Sequence, residues 1–259
     1  IRKQITKNIQ SALPIYDMND QQKKAAEQIG ATIAVIAGPG TGKTKTLIAR
    51  LQFLLEVRKI SQEEITAVTF TSKAAEEMKS RMFSKALPSF VQIGTFHAIC
   101  SHFLKETGLS FVVADTGLQM ELAQTALLEF KRKESPNRFL QDLSKVKNGL
   151  SVVDEKDRQL YDFYQNLLQK SGALDYDDLL LETINILKDI PENALERKPF
   201  SYLLIDEFQD INPLQYKLVK EWRRGGKELF VIGDPDQSIY GFRGCNPDIF
   251  HQLSKDYPN

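Results

Sequence analysis

Cysteine is scarce in this sequence: two in 259 residues, Cys100 and Cys245. They stand far apart, and with His97, His102 and His251 they make no zinc spacing. A disulfide-built secreted scaffold is excluded, and a reducing compartment is expected. No apolar run nears the roughly 20 residues that span a bilayer, and no signal peptide opens the chain. Net charge is also missing, because 34 basic side chains balance 34 acidic ones. Charge alone therefore argues against a strongly basic nucleic-acid binder. The balance hides an offset: residues 101–200 carry 13 basic and 17 acidic side chains, which leaves the remainder mildly basic. Two units of different character are expected. The first residue is Ile1 rather than methionine, so the expectation is a piece of a longer protein.

What is present starts with a glycine-rich turn. An apolar run, Ala31 to Ile36, leads into Ala37-Gly38-Pro39-Gly40-Thr41-Gly42-Lys43-Thr44, and a helix-forming run, Lys45 to Glu56, follows. Strand, glycine turn and helix form the setting that a phosphate-binding loop needs. Backbone N–H groups of such a loop turn inward around a polyphosphate, and the next helix aims its positive end at the same anion. Gly38, Pro39, Gly40, Thr41 and Gly42 are the candidate cradle. Lys43 can reach the outer phosphates of ATP, and the Thr44 hydroxyl can ligate Mg²⁺. Ala37 stands where the strict pattern has glycine.

Ahead of the loop, Asn19-Asp20-Gln21-Gln22 opens a helix to about Ile29, with Asn19 as N-cap and Gln22 at the capping-box position. The Gln22 amide can also read an adenine edge, donating and accepting at once. Ile65 to Phe70 is short and β-branched, hence a strand, and Ser72 is the expected cap of a helix from Lys73 to Lys85. Val91 to Gly94 is a third strand. Thr95-Phe96-His97 then leads into a helix to about Lys105. Ligands of open α/β sheets bind beyond the carboxyl ends of strands. Phe70 there offers a face for a base to stack on, against the ordinary fate of a core phenylalanine. Thr95 and His97 can meet phosphates, against the ordinary roles of cap and solvated polar group.

From about Thr107 to Lys198 helical periodicity takes over. Leu160, Phe163, Tyr164, Leu167 and Leu168 make one apolar face, and Leu179, Leu180, Ile184 and Leu187 another. Phe111-Val112-Val113 is the one strand signal. Three or four helices are expected there. Asp175, Asp177 and Asp178 cluster at a helix start, where capping and dipole compensation are commoner than a metal. Strand character returns at Tyr202-Leu203-Leu204-Ile205, which ends in Asp206-Glu207. Asp206 suits a Mg²⁺ ligand and Glu207 the group that orients an attacking water. Asn212-Pro213 opens another helix. Leu229 to Ile232 is a last strand, and Gly233 to Gly244 a loop. In that loop Gln237 can sense a terminal phosphate, and Tyr240, Phe242 and Arg243 offer stacking and phosphate contacts.

The stretches MNDQQKKAA, AGPGTGKT, VTFTSKAAEEM with IGTFH, LLIDEFQDIN and VIGDPDQSIYGFRG, in this order, resemble the UvrD/Rep/PcrA family of superfamily 1 DNA helicases. The resemblance implies an α/β, RecA-like P-loop NTPase domain: a parallel β-sheet flanked by helices and interrupted by an all-helical insertion. The implied division is 1–106 and 199–259 for the core and 107–198 for the insertion. It further implies Gln22 as adenine reader, Lys43, Thr44 and Asp206 on Mg²⁺-ATP, Glu207 as catalytic base, and Gln237 coupling the γ-phosphate to the DNA site. Phe70, Thr95, His97, Tyr240 and Phe242 fall at family positions that touch single-stranded DNA. Phe242 replaces the usual tryptophan and Ser72 the usual asparagine; Lys45, near the nucleotide, stands where relatives often have arginine. The implied protein is a cytoplasmic, nucleoid-associated 3′→5′ helicase, monomeric at rest, acting on single strands and junctions. The second motor domain, which supplies further arginines, is expected outside this chain. The piece alone is expected to hydrolyse ATP poorly and not to unwind DNA. The alternative is a nucleotide- and strand-binding module with no catalytic cycle of its own.

Overall fold

A computed structural model describes residues 18–83, 91–237 and 248–258. The lead-in before residue 18 and the loop positions Tyr240, Phe242 and Arg243 lie outside the described residues. In chain order the strands are β1 (Thr32–Ile36), β2 (Ile65–Thr69), β3 (Gln92–Thr95), β4 (Val112–Val113), β5 (Ala173–Leu174), β6 (Tyr202–Ile205) and β7 (Glu228–Gly233). The α-helices are α1 (Asp20–Glu27), α2 (Lys43–Gln52), α3 (Ser72–Phe83), α4 (Phe96–Glu106), α5 (Thr116–Glu129), α6 (Pro136–Lys147), α7 (Glu155–Lys170), α8 (Tyr176–Asp189), α9 (Pro213–Arg223) and α10 (Ile249–Asp256). Two compact units result. The first draws on Ile1–Thr95, Ile190–Ile211 and Trp222–Asn259, the second on Phe96–Asp189 and Asn212–Glu221.

The first unit is a five-stranded parallel sheet in the order β1-β7-β6-β2-β3. Ile33, Phe230, Leu204, Ala67 and Ile93 stand in register across all five strands. They are buried together with Leu47 and Leu51 of α2 and with Ala75, Met78 and Met82 of α3. The apolar spacing of those two helices therefore supplies one cover of the sheet, each large aliphatic contributing about 1.5–3 kcal/mol. Strands β2, β6 and β7 are buried along their whole length. This is why they read as continuous apolar runs rather than alternating ones. Phe208 packs edge-on against Phe250, and Phe200 stacks on Trp222 at 5.1 Å.

Local signals explain the helix ends. Asn19 and Gln22 close a reciprocal capping box at 2.9 and 3.0 Å, as expected, but α1 stops at Glu27 rather than Ile29. Helix α2 starts at Lys43, not Lys45, because left-handed Gly42 turns straight into it; the run then loosens into a π-helical turn over Phe53–Val57. The cap of α3 is Thr71, not Ser72: the Ala74 N–H donates to the Thr71 hydroxyl at 3.1 Å, and Ser72 is already helical.

A buried ion cluster fastens α1, α2 and β7 together. Arg50 is 0% exposed. Its Nη2 lies 2.5 Å from Glu228 Oε1, and Nη1 donates to the carbonyls of Ala26 and Gln28 at 2.8 and 2.6 Å. Those carbonyls end α1, so one guanidinium both pairs Glu228 and satisfies a helix C-terminus. Arg58 reaches the other oxygen of Glu228 at 2.9 Å. Burial lowers the Arg50 pKa, and the hydrogen bond and charge of Glu228 oppose that shift.

The second unit is helical apart from the short parallel pair β4–β5. Strand β4 lies within the expected Phe111–Val113 signal, whereas its partner, Ala173–Leu174, was too short to read. Residues 107–189 contribute four helices, and the unit as folded also holds α4 and Asn212–Glu221. Leu160, Tyr164 and Leu168 of α7 are buried against Phe139, Leu143 and Leu127, with Phe163 and Leu167 at the margin. Lys147, at the end of α6, pairs with Asp175 at 2.6 Å and Asp178 at 2.7 Å. Ser144 and Asn148 donate to Asp177 at 2.6 and 2.8 Å. The three aspartates thus clamp two helices, and Asp175 with Asp178 also caps α8.

Because Glu228 depends on two arginines of unequal burial, their removal should differ. Arg50→Ala should lower the unfolding free energy by about 3–5 kcal/mol, since it strands a buried carboxylate and two helix carbonyls. Arg58→Ala, at a partly exposed position, should cost about 1 kcal/mol. Urea unfolding midpoints of the two variants check this, and equal losses would refute it.

Candidate functional site

The parallel order brings the carboxyl ends of β1, β7 and β6 side by side in the first unit. Each end continues into polar sequence. After β1 the Ala37 N–H donates to the Gly233 carbonyl at 2.9 Å, which carries the pairing one step beyond the strand. The chain then tightens. Thr41 donates through its N–H and its hydroxyl to the Gly38 carbonyl, at 3.4 and 2.7 Å. Gly42 sits at φ +82, and a Cβ there would come 2.8 Å from Gln22 Nε2. The left-handed conformation demands glycine at that point. Gln22 Nε2 donates to the Thr41 carbonyl at 2.5 Å, so the amide that caps α1 also braces the loop. Both ends of the Gln22 amide are engaged by protein, Oε1 by the Asn19 N–H and Nε2 by the Thr41 carbonyl.

Lys43 is the first residue of α2, and its side chain is 10% exposed. Its Nζ lies 3.1 Å from Glu207 Oε2 and 3.4 Å from Gln237 Oε1. The structure therefore gathers the three candidate catalytic side chains at one point. Thr44 and Lys45 follow on the first turn of α2, both half-buried. Asp206 directly follows β6, and its N–H extends the ladder by donating to the Val68 carbonyl at 2.9 Å. Its Oδ1 accepts the Glu207 N–H at 3.0 Å. Burial pushes the Asp206 carboxyl up to about 6, the Glu207 charge adds to this, and Lys43 opposes it. Asp210 is likewise pushed up to about 6 by burial and by Glu207. Glu207 itself has φ +46, a left-handed conformation that is strained for a residue with a side chain.

Three groups here were quoted within motifs but not singled out as site residues: Gln209, Asp210 and Asp234. Asp234 caps the short turn Pro235–Gln237 by accepting the Asp236 N–H at 3.1 Å. Its Oδ2 is buried with no hydrogen-bond partner among the described residues. It stands next to the loop, 4.0 Å from where a Gly38 Cβ would be. Their signal was the unusual density of polar residues just after apolar strands.

The candidate strand-contacting residues separate. Phe70 is half-buried directly after β2, and Thr95 ends β3; both lie on the carboxyl edge of the sheet. His97 belongs to the helical unit, where it packs edge-on against Tyr176 at 5.2 Å. Burial lowers the His97 pKa, and the Asp177 charge opposes that shift. Tyr176, 55% exposed, had not been singled out. Among the described residues no cluster of three or more metal-ligating side chains occurs, and no helix is long and apolar enough to cross a membrane.

A strand–loop–helix with its lysine facing a strand-end acidic pair defines a RecA-like P-loop NTPase fold. Residues 18–258 match the family model of the UvrD/REP helicase N-terminal domain, and the chain belongs to that family. It is similar to a probable DNA helicase II homolog of Mycoplasma capricolum, 35% identical over 93% of this chain and 37% of the relative. It is also similar to the ATP-dependent DNA helicase PcrA of Staphylococcus epidermidis, 34% identical over 94% of this chain and 37% of the relative. With PcrA of Staphylococcus aureus the identity is 33%. The chain thus spans about 37% of the length of these relatives.

The raised Asp206 value has a consequence for stability. The folded chain holds this proton more tightly than the unfolded chain does, so the carboxylate subtracts stability as pH rises from 3.8 to about 6. The deficit is complete above that window. Asp206→Asn should therefore stabilise the ligand-free chain by about 3 kcal/mol at pH 8 and by little at pH 4. Melting curves at the two pH values check it. A variant equally or less stable at pH 8 would show that Asp206 is not strained by burial.

Proposed function

We propose that this chain is the N-terminal motor domain of an ATP-dependent 3′→5′ DNA helicase, binding Mg²⁺-ATP and single-stranded DNA. The observation that carries this is the meeting of Lys43, Glu207 and Gln237 at the ends of three adjacent strands. Family membership supports it. The backbone of residues 38–42 cradles the phosphates, and Lys43 neutralises the outer ones. Its present partners, a carboxylate and an amide oxygen, are the kind of acceptors that a phosphate replaces. Gln22, which braces the loop, reads the adenine, with Lys45 near the nucleotide.

The donor set fits magnesium, an ion that takes one or two carboxylates and keeps several waters. Thr44 and Asp206 would hold it, and the Asp234 oxygen that has no partner among the described residues suits one of its waters. When bound, magnesium neutralises charge on the transferred phosphoryl group. Glu207 orients water and accepts its proton. Phe70 and Thr95 on the sheet edge contact the single strand, as do His97 and Tyr176 in the helical unit; Tyr240, Phe242 and Arg243 are further strand contacts by their place in the sequence. The remainder of the motor, including further arginines for the γ-phosphate, comes from the rest of a longer protein. A binding module without a cycle of its own is the second reading, and it has no use for Glu207 beside Lys43.

Lys43→Ala should abolish binding of a fluorescent ATP analogue to this chain, whereas unchanged affinity would sink the loop assignment. Hydrolysis by the 259-residue chain should be slow and unresponsive to single strands; fast, DNA-stimulated turnover would mean that it completes its own active site. Tyr176→Ala should weaken oligothymidine binding, with roughly 1–3 kcal/mol expected per stacked base, and leave ATP binding intact. Equal strand affinity would return Tyr176 to an ordinary surface role.

A further inference from the structure

Gln209 is 3% exposed, in the 3₁₀ turn Phe208–Asp210 that follows β6. Both ends of its amide are engaged. Nε2 donates to Glu207 Oε2 at 2.8 Å, and Oε1 accepts the Asp234 N–H at 2.9 Å. The amide can face only one way: flipped, its NH₂ would meet an N–H and its oxygen a carboxylate. Nε2 also lies 3.5 Å from Asp210 Oδ2. The space is tailored to it. A Cβ on Gly233 would fall 2.3 Å from Gln209 Oε1, so glycine at the end of β7 is what admits the side chain. Lys43 and Gln209 both hold the same oxygen of Glu207, Oε2. Glu207 is kept in its strained left-handed conformation amid these contacts, and such strain persists only where the surroundings over-determine it.

We infer that Gln209 is a positioning residue that ties one carboxylate oxygen of Glu207 to the backbone of the Asp234–Gln237 turn, leaving the other oxygen to receive a proton from water. The inference rests on the proposed role of Glu207 as base. In that step water gives its proton to Glu207 Oε1 and its oxygen bonds to the γ-phosphorus. The bond from that phosphorus to the bridging oxygen breaks, and ADP leaves with the electron pair. Gln209 touches none of the reacting atoms. It makes the aim of the base depend on the turn that carries Gln237, so the phosphate-sensing side chain and the base move as one body.

Two variants separate its two bonds. Gln209→Glu keeps an acceptor for the Asp234 N–H but sets a carboxylate against Glu207. Gln209→Ala removes both bonds. In this chain, hydrogen exchange should show the Asp234 amide protected in the parent and in Gln209→Glu, and fast in Gln209→Ala. In the full-length protein with single-stranded DNA, both variants should lower kcat about tenfold to a hundredfold, less than the roughly 10²–10⁴ that a general base contributes, because the base itself remains. ATP affinity should hold. Glu207→Gln with Gln209→Ala should be no slower than Glu207→Gln alone, because Gln209 acts through Glu207. A further loss in the double variant, or full kcat in Gln209→Glu, would overturn the inference while leaving the base assignment standing. Full kcat in Glu207→Gln would instead remove the base assignment, and this inference with it.

Discussion

Lys43 and Glu207 are the pair on which the first unit turns. A lysine side chain 10% exposed needs a partner, and this one is supplied from a strand two places away in the sheet. The ammonium is the first residue of α2, the carboxylate the second residue after β6. They meet because β7 lies between β1 and β6 and all three run the same way. Everything else in the unit maintains that relation. The residues in register across the sheet fix the height of the strands, and the covers from α2 and α3 fix the loop above them.

The far end of α2 is held just as firmly. Arg50 and Glu228 anchor it to the amino end of β7, while the loop before it is braced by Gln22 from α1. One helix is thus tied at its base by a buried ion pair and at its tip by a glycine-rich turn. The burial of charge is uneven. Arg50 and Glu228 neutralise each other away from solvent, but Asp206 and Asp210 are left with raised values near 6. Burial raises both, the Glu207 charge adds to the shift, and Lys43 opposes it.

The helical unit follows another logic. Its polar residues mostly satisfy one another: Asp175 and Asp178 pair with Lys147, and Asp177 accepts hydrogen bonds from Ser144 and Asn148. A run of acidic residues that resembles a metal site in one dimension is, in three, a clamp between two helices. His97 and Tyr176 stand apart from this, one lowered in pKa by burial and the other open to solvent.

Several things were determined by the sequence alone. The glycine turn with its lysine, the five strands of the main sheet, the helical character of the middle stretch and the acidic pair after Ile205 are local patterns, and local physics fixes them: left-handed glycine, apolar period, capping side chains. The family resemblance rested on the same short stretches. Boundaries were less legible, since the shift from Ser72 to Thr71 as cap, or from Lys45 to Lys43 as helix start, depends on one hydrogen bond or one dihedral angle. Strand order was not legible at all, because parallel strands joined by crossovers can be shuffled without changing any local pattern. That order alone decided that Lys43 meets Glu207, that Arg50 meets Glu228 across 178 positions, and that Gln209 meets the turn after Gly233. Such contacts join residues far apart in the chain, and their energy arises only when the sheet brings them within a few ångströms.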